Sequence, residues 1–377
     1  MNHPEAKETE FRLYPGEEFV QIGRHKFLTY YRPPRHSHLP LFLFVPGAGH
    51  LGRISYGHPE GKPSDFLAYW LDILGYGMLA VSYPGDDENG SNSADLTNTE
   101  WGEITAAATE RVVEAHALQR RVIACGWSMG GRIARSLNTA LSARSLQIEV
   151  FISLAATPPI PGLYPFDPEL VDIRASGFLD FCAPLKNGRK TYADRFVDDM
   201  EGQDALERRV IIPASIYRSE YLTEVPLSIR GDSIRFSNGR LYESIADAAA
   251  DMGTFDFADW PIVGAIIPTS PRDAVHVLTD KARWTFSNTQ KIFADWLKPL
   301  FDLSDGRLNT MPAQDWQRLC DIVLGVGDAL TEHVPGNHFF FVGKSGAQQT
   351  AQAISRLAQA TSRLRNEIRT FLQPANI

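Results

Sequence analysis

The segment that most restricts the fold is Gly126-Trp127-Ser128-Met129-Gly130-Gly131, set directly after the apolar run Val122-Ile123-Ala124-Cys125. An uninterrupted apolar run of this kind reads as a strand buried on both faces. Beyond the glycines, Ile133, Ala134 and Leu137 recur at helical spacing. The chain must therefore pass from buried strand to helix within a few residues, around a serine. Glycines are needed on both sides because a Cβ there would strike the neighbouring strand or helix. A corner of this type holds the serine backbone strained and lifts its Oγ above a sheet edge.

The surrounding segments repeat the same beat. Residues 10–32 read as an antiparallel pair with turns at Pro15-Gly16 and Gly23. Leu41–Val45 is a continuous apolar strand that stops at Pro46-Gly47-Ala48-Gly49-His50. An amphipathic helix from about Ser64 carries Phe66, Tyr69, Trp70, Ile73 and Leu74, and the strand Met78–Tyr83 follows. Thr97 and Glu100 have the spacing of a capping box that opens a helix bearing Trp101, Ile104, Ala108 and Val112. Ile148–Leu154 is the next strand. Alternating strands and helices predict right-handed crossovers, hence an α/β fold with a mainly parallel sheet and helices on both faces.

From about Leu163 to Asp259 that beat is lost, and it resumes at Ile262–Ile267. The interval reads as a mostly helical cap inserted into one domain. The division expected is 1–162 for the first part of the core, 163–259 for the cap and 260–377 for the rest. The aromatics of the interval are expected to fill the cap's own core. A last strand near Ala329–His333 precedes a turn at Pro335-Gly336-Asn337-His338, and the final helix spans about Ala347 to Leu372.

Composition narrows the partners. The 377 residues are 44% hydrophobic and 22% charged, with 37 basic against 45 acidic residues and a formal charge of −8. No basic face of the kind that tracks phosphates is visible, so no nucleic acid is expected. Cys125, Cys182 and Cys320 are isolated, which argues against disulfides and structural zinc. The histidines lack metal-binding spacings, and no nucleotide-binding glycine fingerprint occurs, so neither metal nor cofactor is expected. Without an apolar leader or a run of membrane-spanning length, a cytoplasmic protein with no membrane partner is expected. A homodimer is left open.

With the Gly126–Gly131 corner and Pro46-Gly47-Ala48-Gly49 in place, the chain resembles an α/β-hydrolase over roughly residues 10–160 and 260–372. The resemblance makes the corner a nucleophile elbow and implies a catalytic serine, acid and histidine in that chain order. Ser128 is then the nucleophile. His338, just past the last strand, is the expected base; His333 falls within the strand. Asp273, in the loop after Val263–Ile267, is the expected acid. Its interval to His338 is longer than usual for the family, and an extra helical pair near 293–301 and 316–323 fills it. Asp328 is a fallback, though too close to His338 to leave room for a helix. The backbone amides of Met129 and Ala48 form the expected oxyanion hole. The family often has His-Gly where Pro46-Gly47 stands. Trp127 and His50 are expected to border substrate, with His58 and His276 ranked as substrate-facing or structural.

The expected activity is hydrolysis of a small, partly apolar carboxylic ester, thioester or lactone through an acyl-serine. Acyl transfer with the same three residues and C–C bond hydrolysis are the alternatives. A non-catalytic receptor using the cap as a clasp is the remaining one.

Overall fold

The computed structural model describes residues 11–85, 94–164, 171–185, 188–298 and 310–372. Eight strands form its main sheet: β1 (Glu17–Ile22), β2 (His25–Arg32), β3 (Leu41–Val45), β4 (Met78–Val81), β5 (Arg121–Trp127), β6 (Gln147–Leu154), β12 (Val263–Pro268) and β13 (Thr331–Val334). Their order across the sheet is β1-β2-β4-β3-β5-β6-β12-β13. Pairing is antiparallel for β1 with β2 and β2 with β4, and parallel from β4 onward.

The apolar runs lie where two-sided burial demands them. All residues of β3 and β12 are buried, whereas the edge strands β1 and β13 are mostly not. Neighbouring residues within one strand feed opposite layers. Leu43, Val45, Val122 and Ala124 pack with Trp101 and Ile104 of α2 (Asn98–Ala115) and with Leu137 of α3 (Ala134–Ala143). Phe42, Phe44, Ile123 and Cys125 pack with Leu67 and Leu71 of α1 (Leu67–Ile73) and with Ile354 and Leu357 of the C-terminal helix Lys344–Leu372. This is the strand alternation expected of a sheet covered on both sides. The capping box of α2 forms as expected, with the Thr97 side chain accepting from the Glu100 amide.

The interval between β6 and β12 holds β7 (Asp172–Ile173), β8 (Phe178–Asp180), α4 (Tyr192–Glu207), α5 (Ala214–Glu220), β9 (Val225–Pro226), β10 (Ile234–Ser237), β11 (Arg240–Glu243) and α6 (Ile245–Met252). None of these strands joins the main sheet. Among the described residues, its apolar side chains do not form a core of their own, contrary to the expectation. Phe178, Phe181, Val225 and Phe236 continue one layer of the main core, while Met200, Tyr217 and Tyr221 continue the other. The physical reason is size: short pieces of chain bury enough apolar surface only by leaning on the larger domain.

Helix α7 (Ala274–Lys291) follows β12, and a π-helical stretch at Ile292–Leu297 and a helix at Ala313–Leu324 fill the long path to β13. The three cysteines are free. Among the described residues, no helix is long and apolar enough to cross a membrane.

Candidate active site

Ser128 follows the last residue of β5, and its φ of 53° lies in the left-handed region. For an L-residue other than glycine this conformation is unfavourable and persists only where the surroundings impose it. Here they do. A Cβ on Gly126 would come within 2.5 Å of the Gly130 carbonyl oxygen, and one on Gly130 within 2.5 Å of the Val45 carbonyl oxygen. The Ser128 carbonyl accepts from the Thr157 amide at 3.0 Å. A 3-10 turn, Ser128–Ile133, precedes α3, so the corner is tighter than a direct passage into α-helix.

Asp273 closes the short turn after β12 and occupies the N-cap position of α7. An N-cap aspartate ordinarily spends its carboxylate on the first amides of its helix. This one makes no capping bond and instead accepts from Nδ1 of His338 at 2.8 Å. Burial raises the Asp273 carboxyl, but the attraction and hydrogen bond of His338, with His276 adding, leave it below its ordinary value. The bond also sets the tautomer: with Nδ1 carrying the proton, Nε2 of neutral His338 is the basic nitrogen.

His338 is held by backbone as well. Its carbonyl accepts from the Trp127 indole N–H at 3.0 Å. Asn337 beside it donates to the Asp199 carbonyl of α4 at 2.6 Å, and Gln203 of the same helix donates to the Phe339 carbonyl at 3.2 Å. The β13 loop is thus tied both to the residue preceding Ser128 and to the inserted segment.

The loop after β3 passes directly beside the serine: a Cβ on Gly47 would lie 2.8 Å from the Ser128 Cβ. The Tyr83 hydroxyl donates to the Gly47 carbonyl at 3.4 Å. Burial pushes His50 down to about 3, so its ring is neutral at ordinary pH. Nδ1 donates to the Ala48 carbonyl at 2.9 Å, because a carbonyl can only accept. Nε2 is left to accept from the Tyr217 hydroxyl at 2.5 Å. His50 has no exposed surface. It was expected to border substrate; it lines the cavity over Ser128, and both its ring nitrogens are engaged with protein, fixing the Gly47–Gly49 loop to α5.

Ser128, Met129, Ala48, Trp127, His50, Asp273 and His338 all border one cavity of about 200 Å³. Trp127 is 1% exposed, so packing and the bond to His338 account for most of its surface. The structure therefore gathers the expected set around Ser128. It leaves out His58, which bonds the Tyr221 hydroxyl, and His333, which lies on the edge strand β13. Asp328 is also left out; it is 83% exposed and paired with Lys281.

Two features of the cavity were not anticipated: the carboxylate partner of His276, a residue ranked as substrate-facing or structural, and a set of arginines. His276, on the first turn of α7, is buried and bonds Asp280 at 2.9 Å through Nδ1, with its ring 5.2 Å from that of His338. Burial works to lower its value, but the carboxylates of Asp280 and Asp273 outweigh this and leave it raised. The i,i+4 spacing of His276 and Asp280 on a helix was the available signal. Donor atoms of Asp273, His276 and His338 lie within 4.8 Å of one another. Each histidine already bonds a carboxylate through Nδ1, His276 that of Asp280 and His338 that of Asp273. The second feature is a group of arginines along the wall, including Arg132, Arg195 and Arg230. They are scattered through the sequence, so no local pattern announces them.

Comparison with known proteins agrees with this architecture. The model of the alpha/beta hydrolase family matches residues 42–341. The chain belongs to that family. Solved structures to which the chain is similar include Est1E from Butyrivibrio proteoclasticus, at 14% identity, covering 92% of this chain and 99% of that one with a TM-score of 0.42. They also include a thioesterase domain from the curacin biosynthetic pathway, at 13% identity, 90% and 98% coverage and a TM-score of 0.41. A third is the pyrethroid hydrolase PytH, at 13% identity, 86% and 98% coverage and a TM-score of 0.42. No curated protein matches the chain.

Proposed function

We propose that this protein is a serine hydrolase that cleaves a small, partly apolar carboxylic ester, thioester or lactone through an acyl-serine intermediate. One observation carries the reading. A serine forced into left-handed backbone at a strand end shares its cavity with a histidine whose Nδ1 proton is bound by a half-buried aspartate.

In the mechanism, His338 Nε2 takes the Ser128 hydroxyl proton as Oγ bonds to the acyl carbon. The carbonyl electron pair moves onto oxygen, and the amides of Met129 and Ala48 stabilise that oxyanion, each worth roughly 3–4 kcal/mol in comparable sites. Asp273 holds the imidazole in place and stabilises its charged form. The imidazolium then gives its proton to the leaving alcohol or thiol as the acyl–leaving group bond breaks. Water repeats the sequence: His338 removes its proton, the hydroxide adds to the acyl carbon, and Ser128 leaves with the proton returned. The segment 163–259 acts as a cap, closing the cavity with Phe181, Tyr192 and Phe196.

Labelling by a fluorophosphonate probe tests this directly. Wild type is expected to gain one covalent adduct at Ser128, and Ser128→Ala to lose both the adduct and about 10⁴-fold or more of its ester turnover. A protein that takes up no label, or a Ser128→Ala variant with full turnover, overturns the reading.

A further inference from the structure

We propose that Tyr217, on α5 of the inserted segment, is a positioning residue for the oxyanion hole: acting through His50, it holds the loop after β3 so that the Ala48 amide faces the carbonyl under attack. This role deepens the ester-cleavage reading and rests on it for the reaction.

Gly47 and Gly49 flank Ala48, and glycine admits conformations closed to other residues, so the loop's own sequence leaves its peptide units free to rotate. Gly49 uses that freedom, with a φ of 76°. The direction of the Ala48 N–H is therefore set by what holds the peptide units on either side of it. In the preceding unit, the Gly47 carbonyl accepts from the Tyr83 hydroxyl at 3.4 Å and from the His50 amide at 3.3 Å. The N–H of a trans peptide points opposite to its carbonyl, so the Ala48 N–H is turned away from both donors. Among the described residues it meets no hydrogen-bond acceptor, and Ala48 borders the cavity over Ser128. In the following unit, the Ala48 carbonyl accepts from Nδ1 of His50 at 2.9 Å.

That last bond depends on Tyr217. A neutral imidazole carries one ring proton, and Nδ1 donates to Ala48 only while the proton sits there. The Tyr217 hydroxyl donates to Nε2 at 2.5 Å, which requires a bare Nε2 and so keeps the proton on Nδ1. His50 and Tyr217 are 0% and 1% exposed, so bulk water does not replace that donor. Without the hydroxyl the proton can move to Nε2, and a bare Nδ1 repels the Ala48 carbonyl. The loop is then released at the residue that supplies the amide. Backbone bonds tie the flanks of the loop to the same segment: the Leu51 amide donates to the Tyr221 carbonyl at 2.8 Å, and the Thr223 amide to the Gly49 carbonyl at 3.0 Å. A Cβ on Gly49 would lie 3.1 Å from the Phe181 ring. These contacts fix where the loop lies, whereas Tyr217 and His50 fix which way its central amide faces. A displacement of about 1 Å in a reacting geometry can cost on the order of 10²-fold in rate, similar to deleting an oxyanion donor.

Two measurements on the full chain test this. The first needs no turnover. Nitrogen–proton correlation NMR of the histidine side chains near neutral pH, with His50 assigned by its loss in His50→Gln, reads which ring nitrogen bears the proton. Nδ1 is expected to carry it in wild type and to share it with Nε2 in Tyr217→Phe. Wild type with the proton on Nε2, or Tyr217→Phe with the proton still wholly on Nδ1, overturns the proposal. The second measurement compares p-nitrophenyl butyrate with its thionoester, whose sulfur is a weak hydrogen-bond acceptor and gains little from an oxyanion hole. In Tyr217→Phe, kcat for the oxygen ester is expected to fall about tenfold or more with KM within about twofold, and kcat for the thionoester to change far less. Tyr221→Phe removes a hydroxyl of the next turn that bonds His58 instead, and it is expected to keep the wild-type ratio of the two esters. Equal losses on both esters, or none in Tyr217→Phe, overturn the role. A wild type that labels at Ser128 while these tests fail loses the role of Tyr217 alone. A wild type that takes up no label fails the ester-cleavage reading, and the tautomer of His50 still decides whether Tyr217 sets the loop.

Discussion

Two histidine–aspartate pairs flank the start of α7 with nearly equal bonds, 2.8 Å for His338–Asp273 and 2.9 Å for His276–Asp280. Their surroundings separate them. His338 and Asp273 keep 17% and 11% of their side-chain surface exposed; His276 and Asp280 keep 3% and 0%. The first pair joins two loops, whereas the second is one helical turn long. Burial raises both carboxyl groups, yet Asp273 ends below its ordinary value and Asp280 above it. Bond length alone therefore does not assign a role. A pair with exposed surface can exchange a proton with a reactant, while a fully buried pair, even one bordering the cavity, acts mainly as fixed charge and packing.

The sharpest way to break this comparison is to substitute each aspartate in turn. Under the proposed mechanism, Asp273→Asn lowers kcat by about 10⁴-fold, because the amide no longer holds the productive tautomer of His338. Asp280→Asn is expected to retain most of its turnover and to lose stability by about 3–5 kcal/mol, the cost of leaving one partner of a buried pair unmatched. Steady-state kinetics beside urea unfolding measures both. A folded Asp280→Asn protein as inactive as Asp273→Asn erases the distinction.

A smaller effect concerns pH. The His276 value is raised in the fold, so its contribution to stability is fully present below the ordinary value of 6.5 and is lost as pH rises through the folded value. The stability advantage of wild type over His276→Asn should therefore shrink on the alkaline side, by at most about 1.4 kcal/mol for each pH unit crossed. Urea midpoints measured from pH 6 to 9 follow it, and a constant difference shows that His276 binds no extra proton in the fold. The smallest effect belongs to Asp328→Asn. This exposed residue pairs only with Lys281 among the described residues, and kcat should stay within about twofold of wild type, as for a surface ion pair remote from the cavity. A large loss of turnover would return Asp328 to consideration as the acid.

Much of the sheet was legible because its central strands carry their own evidence. Leu41–Val45 and Val263–Pro268 are apolar throughout, and such runs have few homes other than the middle of a parallel sheet. The Ser128 corner was legible because excluded volume at Gly126 and Gly130 leaves a local mark on composition. The inserted segment was not, since its short elements owe their order to the main core rather than to any period of their own. The partners of His50 were not legible for a related reason. Nothing local distinguishes a histidine that meets substrate from one whose nitrogens are taken up by Ala48 and Tyr217.

Local rules of burial period, turn sterics and capping thus determined the strand order's raw material, the helix starts and the strained serine, because each depends on neighbours within a few residues. The meeting of Asp273 with His338, the sealing of His276 against Asp280 and the gathering of Arg132, Arg195 and Arg230 were decided only by the tertiary structure. These contacts join residues far apart in the chain or depend on how deeply they are buried. Depth and distance come into being only when the sheet, its helices and the inserted segment close on one another.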